Sequence, residues 1–256
     1  MHRWRIHHLG QTESTQDALR DALRQSPEAA VCVRADEQRA GRGRRGRHWV
    51  SPRGGLWCSL NVNASKPDPF HTLLLATAAL EWAIDWARRP NRLFIKWPND
   101  LMVESQRAST RIAKWGGVMA ESQSVTDGVS TIVFGLGLNL DLDPARLPET
   151  EPPSPAATSL RAEFGASPSP RAALSAILPR FEELLGLDAR SRGDAVRRVS
   201  PHVRTLSAPI QWLDDKGTPC RGTALALTEH GALVVQHESG RRDTLVAGEV
   251  SHVRAR

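Results

Sequence analysis

The chain has no tyrosine, only five phenylalanines and three cysteines, and no apolar run near the roughly 18 residues that cross a bilayer as a helix. Each shortage excludes something. Without a spanning run, the expectation is a soluble protein of one large domain or two, with no membrane partner. Cys32, Cys58 and Cys220 are odd in number, far apart and free of any Cys-x-x-Cys pairing, so neither a disulfide framework nor a structural zinc site is expected. The opening MHRWRIHHLG lacks the apolar segment of a secretory signal, which with the thiols points to a cytoplasmic protein. The shortage of tyrosine and phenylalanine removes the aromatic-basic platform that single-strand nucleic-acid binders use.

What is abundant is arginine, in one place. Arg39, Arg42, Arg44, Arg45 and Arg47 share nine residues with Gly41, Gly43 and Gly46, in RAGRGRRGRHW. Guanidiniums so close repel one another unless an anion sits among them. The formal charge of +6, from 34 basic and 28 acidic residues, is therefore concentrated rather than general. That favours a focused anion site over a long nucleic-acid track. The glycines also satisfy G-x-G-x-x-G, but HWVSPRGG follows instead of a helix, so the dinucleotide reading fails on context. A glycine loop whose N–H groups and arginines surround phosphate remains.

Around this loop the pattern alternates between helix and strand. Trp4 and Ile6 lead through a polar turn to a helix that begins at Ser14, with Asp17 at its third position. AVCVRA (30–35) reads as a strand that feeds the loop, and LWCSLNVN (56–63) alternates two differently populated faces. Residues 70–87 form the longest helical pattern. LFIKWPNDLMV (93–103) places two strands about a bend at Trp97-Pro98-Asn99-Asp100. WGGVMAE and STIVFGLGLNL supply two more strands, Pro144–Pro170 is irregular, and RAALSAILPRFEELLGL resumes a helix kinked or broken near Pro179. A short helix runs from Arg192 to Val199. PIQWL, GTALALT, ALVVQH and DTLVAG, separated by turn residues, then predict a small barrel. The predicted fold is α+β, a mixed sheet flanked by helices over residues 1–204 and a small β-barrel domain over 205–256.

Singly, Ser14 and Thr15 also serve as a helix cap, Lys96 and Lys114 as solvated lysines, and Asn139 as a turn residue. Their order is more specific. S-T-Q at a helix start, Q-R-A-G-R-G-R-R-G-R-x-W, K-W-P-N-D-L, K-W-G-G-V-M-A-E, G-L-G-L-N and a small barrel ending in G-E-V-S resemble the biotin protein ligases, specifically the bacterial biotin–acetyl-CoA-carboxylase ligases. The resemblance spans almost the whole chain. It implies a class II synthetase-like catalytic fold with an SH3-like barrel, and a reaction in two steps. Biotin and ATP, with Mg2+, give biotinyl-5′-AMP and pyrophosphate, and a lysine of a biotin carboxyl carrier domain then takes the biotin.

By position, the resemblance puts Ser14, Thr15, Gln16 and Gln38 on biotin's ureido ring, and Gly41, Arg42, Gly43 and Arg44 around biotin and the adenylate. Arg47, Trp49, Lys96, Asn99, Asp100 and Asn139 fall to the nucleotide. Lys114 stands between the biotin carboxylate and the α-phosphate, with Gly116 and Gly117 leaving room for the ligand, and Arg44 and Lys114 are the expected catalytic residues. The metal ligands are unassigned. Two departures stand out: Gln16 replaces a customary asparagine, and Glu104–Arg111 lengthens the connection before Lys114. Since the first catalytic helix begins at Ser14, no DNA-binding repressor function is expected. Sheet-edge dimers among relatives leave a homodimer open. A lipoate or octanoate ligase of related fold is the alternative.

Overall fold

The computed structural model describes residues 4–26, 29–64, 68–107, 111–126, 129–147, 155–214, 216–246 and 250–252. The larger sheet contains β1 (Arg5–Thr12), β2 (Val31–Gln38), β3 (Leu56–Ala64), β4 (Leu93–Lys96), β5 (Asp100–Glu104), β6 (Ile112–Thr126), β7 (Val129–Leu138) and β8 (Ala156–Ala157). Their order is β1-β2-β3-β7-β6-β5-β4, with β8 on β6. The β1–β2 and β6–β8 pairs are parallel and the rest antiparallel, the mixed sheet expected from the sequence.

The helices are α1 (Thr15–Gln25), α2 (Phe70–Ala87), α3 (Leu160–Phe164), α4 (Pro170–Arg190) and α5 (Arg192–Val199). Leu56, Cys58, Leu60 and Val62 of β3 and Phe134, Leu136 and Leu138 of β7 share the core with α2 and α4. Phe181 of α4 lies edge-on to Phe134 at 5.8 Å and stacks on Trp4 at 5.9 Å. Pro179, where a kink or a break was expected, lies inside α4 and does not end it. Interior proline costs about 3 kcal/mol. Leu174, Ile177, Phe181 and Leu184, buried on both sides of it, each return about 1.5–3 kcal/mol and outweigh that cost.

The other face of the sheet is only partly covered. Leu19 and Leu23 of α1 pack on Val31, Val33 and Val133, which leaves the neighbouring stretch of β3, β6 and β7 bare of helix. Strand β1 was not expected. Its residues are mostly exposed and carry no alternation, and pairing to β2 is what holds it.

The C-terminal strands β9 (Pro209–Leu213), β10 (Pro219–Leu227), β11 (Leu233–His237), β12 (Arg242–Leu245) and β13 (Ser251–His252) form a second sheet, antiparallel in the order β12-β11-β10-β9-β13. Each of the four runs predicted there contains a strand, the last over Asp243–Leu245, with Ala247 and Gly248 of that run outside the described residues. Among the described residues no pairing closes the sheet into a barrel; Gly248 and Glu249 of the G-E-V-S motif lie outside them.

Candidate active site

The bare stretch of sheet is the floor of a cleft of about 1020 Å3, walled by the arginine loop on one side and by the C-terminal sheet on another. Small-ligand sites occupy roughly 300–1,000 Å3, so this cleft stands at the upper end of that range.

One end is polar and nearly neutral. Ser14, in extended backbone, accepts from the Gln16 N–H and starts α1, which brings Thr15 and Gln16 to the end of β2. The Thr15 N–H donates to Gln38 Oε1 at 2.8 Å, and its hydroxyl lies 3.0 Å from the same oxygen and 2.8 Å from Ser59 Oγ. Gln38 Nε2 donates to Ser51 Oγ at 2.9 Å, which fixes the orientation of its amide. Gly135 and Met119 flank Gln16: a Cβ on Gly135 would lie 3.6 Å from Gln16 Cδ and 3.1 Å from Met119 Cγ.

The other end is cationic. The arginine loop is a small hairpin, with Trp49 N–H on Gly41 O at 2.8 Å, an Arg42–His48 bridge and Gly43 N–H on Arg47 O at 2.7 Å. Arg45 and Gly46 turn its tip with positive φ. The crowding expected from the sequence is relieved by dispersal. Arg39 reaches Gln11 at 2.9 Å, Arg42 takes both carboxylate oxygens of Asp17 at 2.7 Å, and Arg44 donates to Asn99 Oδ1 at 2.6 Å. The bond from Arg42 holds the Asp17 carboxyl below the usual carboxylate range. Asn99 is itself fixed through Nδ2 to Val118 O at 2.8 Å.

Lys114 reaches the cleft through a β-bulge. Leu101 pairs with Gly116 but Met102 with Lys114, so Trp115 is an extra residue in β6. In a regular strand residues 114 and 117 would face opposite ways; the bulge puts Lys114, Gly117 and Met119 all on the cleft. The Lys114 ammonium lies 2.6 Å from Asp100 Oδ1 and 5.2 Å from the Trp49 ring centroid. The Trp49 indole rests on Gly137, where a Cβ would come within 2.8 Å of Nε1. Arg111, the other basic residue before the Gly-Gly pair, is exposed and off the cleft.

Three buried polar atoms of residues that line this cleft have no hydrogen-bond partner among the described residues: Gln16 Nε2, Trp49 Nε1 and Asn139 Oδ1. The rest of Asn139 is held, with Nδ2 on Thr158 O at 2.9 Å and N–H on Trp115 O at 2.7 Å. Buried polar groups are rarely left unpaired, so two donors and one acceptor at this place suit a ligand with the complementary groups.

Of the residues singled out from sequence, Thr15, Gln16, Gln38, Arg42, Gly43, Arg44, Arg47, Trp49, Lys96, Asn99, Asp100, Lys114, Gly117 and Asn139 line the cleft. Three do not. Ser14 is buried as the α1 cap. At Gly41 a Cβ would meet Trp49 O at 2.4 Å, and at Gly116 it would meet Leu138 Cδ2 at 2.7 Å. At both glycines the space a side chain would need is taken by neighbouring protein atoms. Sequence reasoning missed Ser59, Met119 and Gly135, although a polar side chain on the second face of β3 was a usable signal for Ser59. It also missed Gln211, Leu213, Asp214 and Gly217 of the C-terminal sheet, which no local pattern marks. Among the described residues, no group of three or more His, Cys, Asp or Glu is gathered to hold a metal ion, and no helix is long and apolar enough to cross a membrane.

Comparison with known proteins agrees with this architecture. The family model for the biotin/lipoate A/B protein ligase family matches residues 9–139, and that for the biotin protein ligase C-terminal domain matches 212–253. A biotin–acetyl-CoA-carboxylase ligase from Paracoccus denitrificans is 31% identical over 252 residues, covering 94% of this chain and 98% of that one. The structure of a biotin protein ligase from Aquifex aeolicus in complex with biotin and ATP shares the fold, with a TM-score of 0.76 at 24% identity over 98% of this chain and 99% of that one. A Leishmania major biotin protein ligase in complex with biotinyl-5-AMP matches with a TM-score of 0.64 at 25% identity over 94% and 98%. With one family model over more than half its length and a relative aligned almost end to end, the chain belongs to the biotin/lipoate A/B protein ligase family, among its biotin protein ligases.

Proposed function

We propose that the chain condenses biotin with MgATP to biotinyl-5′-AMP and then biotinylates a lysine of a carrier domain of the acetyl-CoA-carboxylase type. The observation that carries the reading is the pairing, in one cleft, of a neutral hydrogen-bonding end with a cationic end, with three buried polar atoms there that have no partner among the described residues. A ureido ring offers a carbonyl and two N–H groups, which the amides and hydroxyls of Gln16, Gln38, Thr15 and Ser59 can answer. A lipoyl chain offers nothing to Gln16 Nε2.

In the first step a biotin carboxylate oxygen attacks the α-phosphorus of ATP, the bond from that phosphorus to the β-phosphate bridge breaks, and pyrophosphate leaves with the electron pair. Carboxylate and triphosphate repel, and the chain's part is to hold them in line. Arg44, Arg47 and Lys96 neutralise phosphate. Lys114, free to swing from Asp100, follows charge as it moves from carboxylate to acyl phosphate. Mg2+ bound to the triphosphate would draw off its charge, and Asp100, a carboxylate of the cleft, would help to hold it, since this ion keeps its waters and needs few protein ligands. In the second step the carrier lysine amine attacks the acyl carbon, AMP leaves with the anhydride electrons, and the amine loses a proton to solvent.

The test is pyrophosphate release by purified protein with MgATP, with biotin or lipoate added. Release that requires biotin supports the reading, and release with lipoate alone replaces it.

A further inference from the structure

Trp97 carries no charge and is only 1% exposed, yet it lines the nucleotide end of the cleft together with Lys96, Asn99 and Asp100. Both of its N–H groups are committed to the C-terminal part of the chain. The backbone N–H donates to Thr205 Oγ1 at 2.9 Å, and indole Nε1–H donates to Gly231 O at 2.8 Å. Thr205, fully buried, lies on the segment that enters the second sheet, and Gly231 lies in the turn between β10 and β11. Beside them Ile95 bridges Val203, and the Arg204 N–H donates to Ile95 O at 3.0 Å.

The turn is seated closely. Gly231 has φ +71°, and a Cβ there would stand 3.1 Å from both Phe70 Cα and Leu73 Cδ1. Asp68 holds the neighbouring His230 at 3.2 Å and Arg192 at 2.9 Å, and Arg192 also donates to Glu229 O at 3.2 Å. The sheet gripped in this way sends Gln211, Leu213, Asp214 and Gly217 into the cleft. On the other side of Trp97, Asn99 and Asp100 receive Arg44 and Lys114.

We propose that Trp97 is a positioning residue: its two hydrogen bonds set the C-terminal sheet over the nucleotide end of the cleft, so that they govern use of ATP and leave biotin binding alone. This rests on the assignment of that end to ATP made above. The physical basis is that a buried donor left without its acceptor carries its full desolvation cost, so the cheapest response is for the sheet to shift. The hydrogen-bonding side chains of the biotin end come from α1, β2 and β3, with Met119 and Gly135 beside them, and the two hydrogen bonds of Trp97 go instead to Thr205 and Gly231.

Thr205→Val removes the acceptor while keeping the shape, Thr205→Ser restores it, and Trp97→Phe removes the indole N–H. In biotin-dependent pyrophosphate release, Thr205→Val and Trp97→Phe should raise KM for ATP about tenfold. KM for biotin should change less than twofold, and Thr205→Ser should stay near the parent. Amide exchange in 210–213 and 229–232 should accelerate in Thr205→Val with β3 and β7 unchanged. Equal rises in both KM values, or an unchanged KM for ATP in a variant that melts like the parent, would overturn the positioning role. A parent that releases no pyrophosphate overturns the proposed function itself, which the unmodified protein reveals before any variant is made.

Discussion

Replacing Arg44 by alanine should separate the two substrates. The guanidinium is held 2.6 Å from Asn99 Oδ1, at the cationic end and away from the Thr15–Gln38–Ser59 cluster. Against a phosphate oxygen at about 4 Å, with an effective dielectric near 20, one unit charge is worth about 4 kcal/mol before desolvation. Net contributions of charged hydrogen bonds fall to about 1.5–3 kcal/mol once solvent is counted. Arg44→Ala should therefore weaken ATP and biotinyl-adenylate binding by about 10- to 150-fold. Biotin, whose ring is neutral, should lose less than threefold. Arg44→Lys should recover only part, because an ammonium keeps the charge and loses the planar fork that spans Asn99 and phosphate. Titration calorimetry with biotin, with ATP and with a non-hydrolysable biotinyl-adenylate analogue measures all three. Equal losses for biotin and the adenylate would refute the division of the cleft into a neutral and a cationic end.

Gln16→Leu keeps the side-chain bulk and deletes Nε2, a donor with no partner among the described residues; biotin Kd should rise about tenfold, with ATP binding unchanged, as read by the same calorimetry. Ser14→Ala removes the cap that accepts from Gln16 N–H. It should cost about 1 kcal/mol in denaturant unfolding, and a large drop in biotin affinity at unchanged stability would show that Ser14 touches the ligand after all. Burial would raise the Glu81 pKa, but bonds from His202 and Arg198 outweigh it and lower the value to about 2. A depressed carboxyl stabilises the fold above its unfolded pKa of about 4.5 and loses that contribution as pH falls toward about 2. The upper limit is about 3 kcal/mol, which screening at this half-buried site reduces to about 1–2 kcal/mol. Glu81→Gln should thus lower stability at pH 7, with the gap to the parent closing between about pH 4.5 and 2 in unfolding titrations; a gap independent of pH would refute it.

The residues that carry local rules were legible. Ser14 with Asp17 marked the start of α1, the apolar density of 70–87 marked α2, and the turn residues after Leu213, Glu229 and Glu238 marked the C-terminal strands, because caps, periods and turns depend on neighbours in the chain. The ordered motifs contain most of the cleft residues. β1 was not legible, since an exposed edge strand has no face to encode. Nor was the continuity of α4 through Pro179, where burial on both sides decides against the local cost.

The sequence alone determined the mixed sheet with helices, the concentration of charge in one glycine loop and the family resemblance. Only the tertiary structure decided which of those residues meet. The Trp115 bulge turns Lys114 onto the cleft face, Asp17 ties down Arg42, and a sheet more than a hundred residues beyond the arginine loop supplies a wall of the same cleft. Gly116, which read as space for a ligand, is where a Cβ would meet Leu138. The reason is that contacts between distant segments are set by the packing of whole layers, and no window of neighbouring residues contains that information.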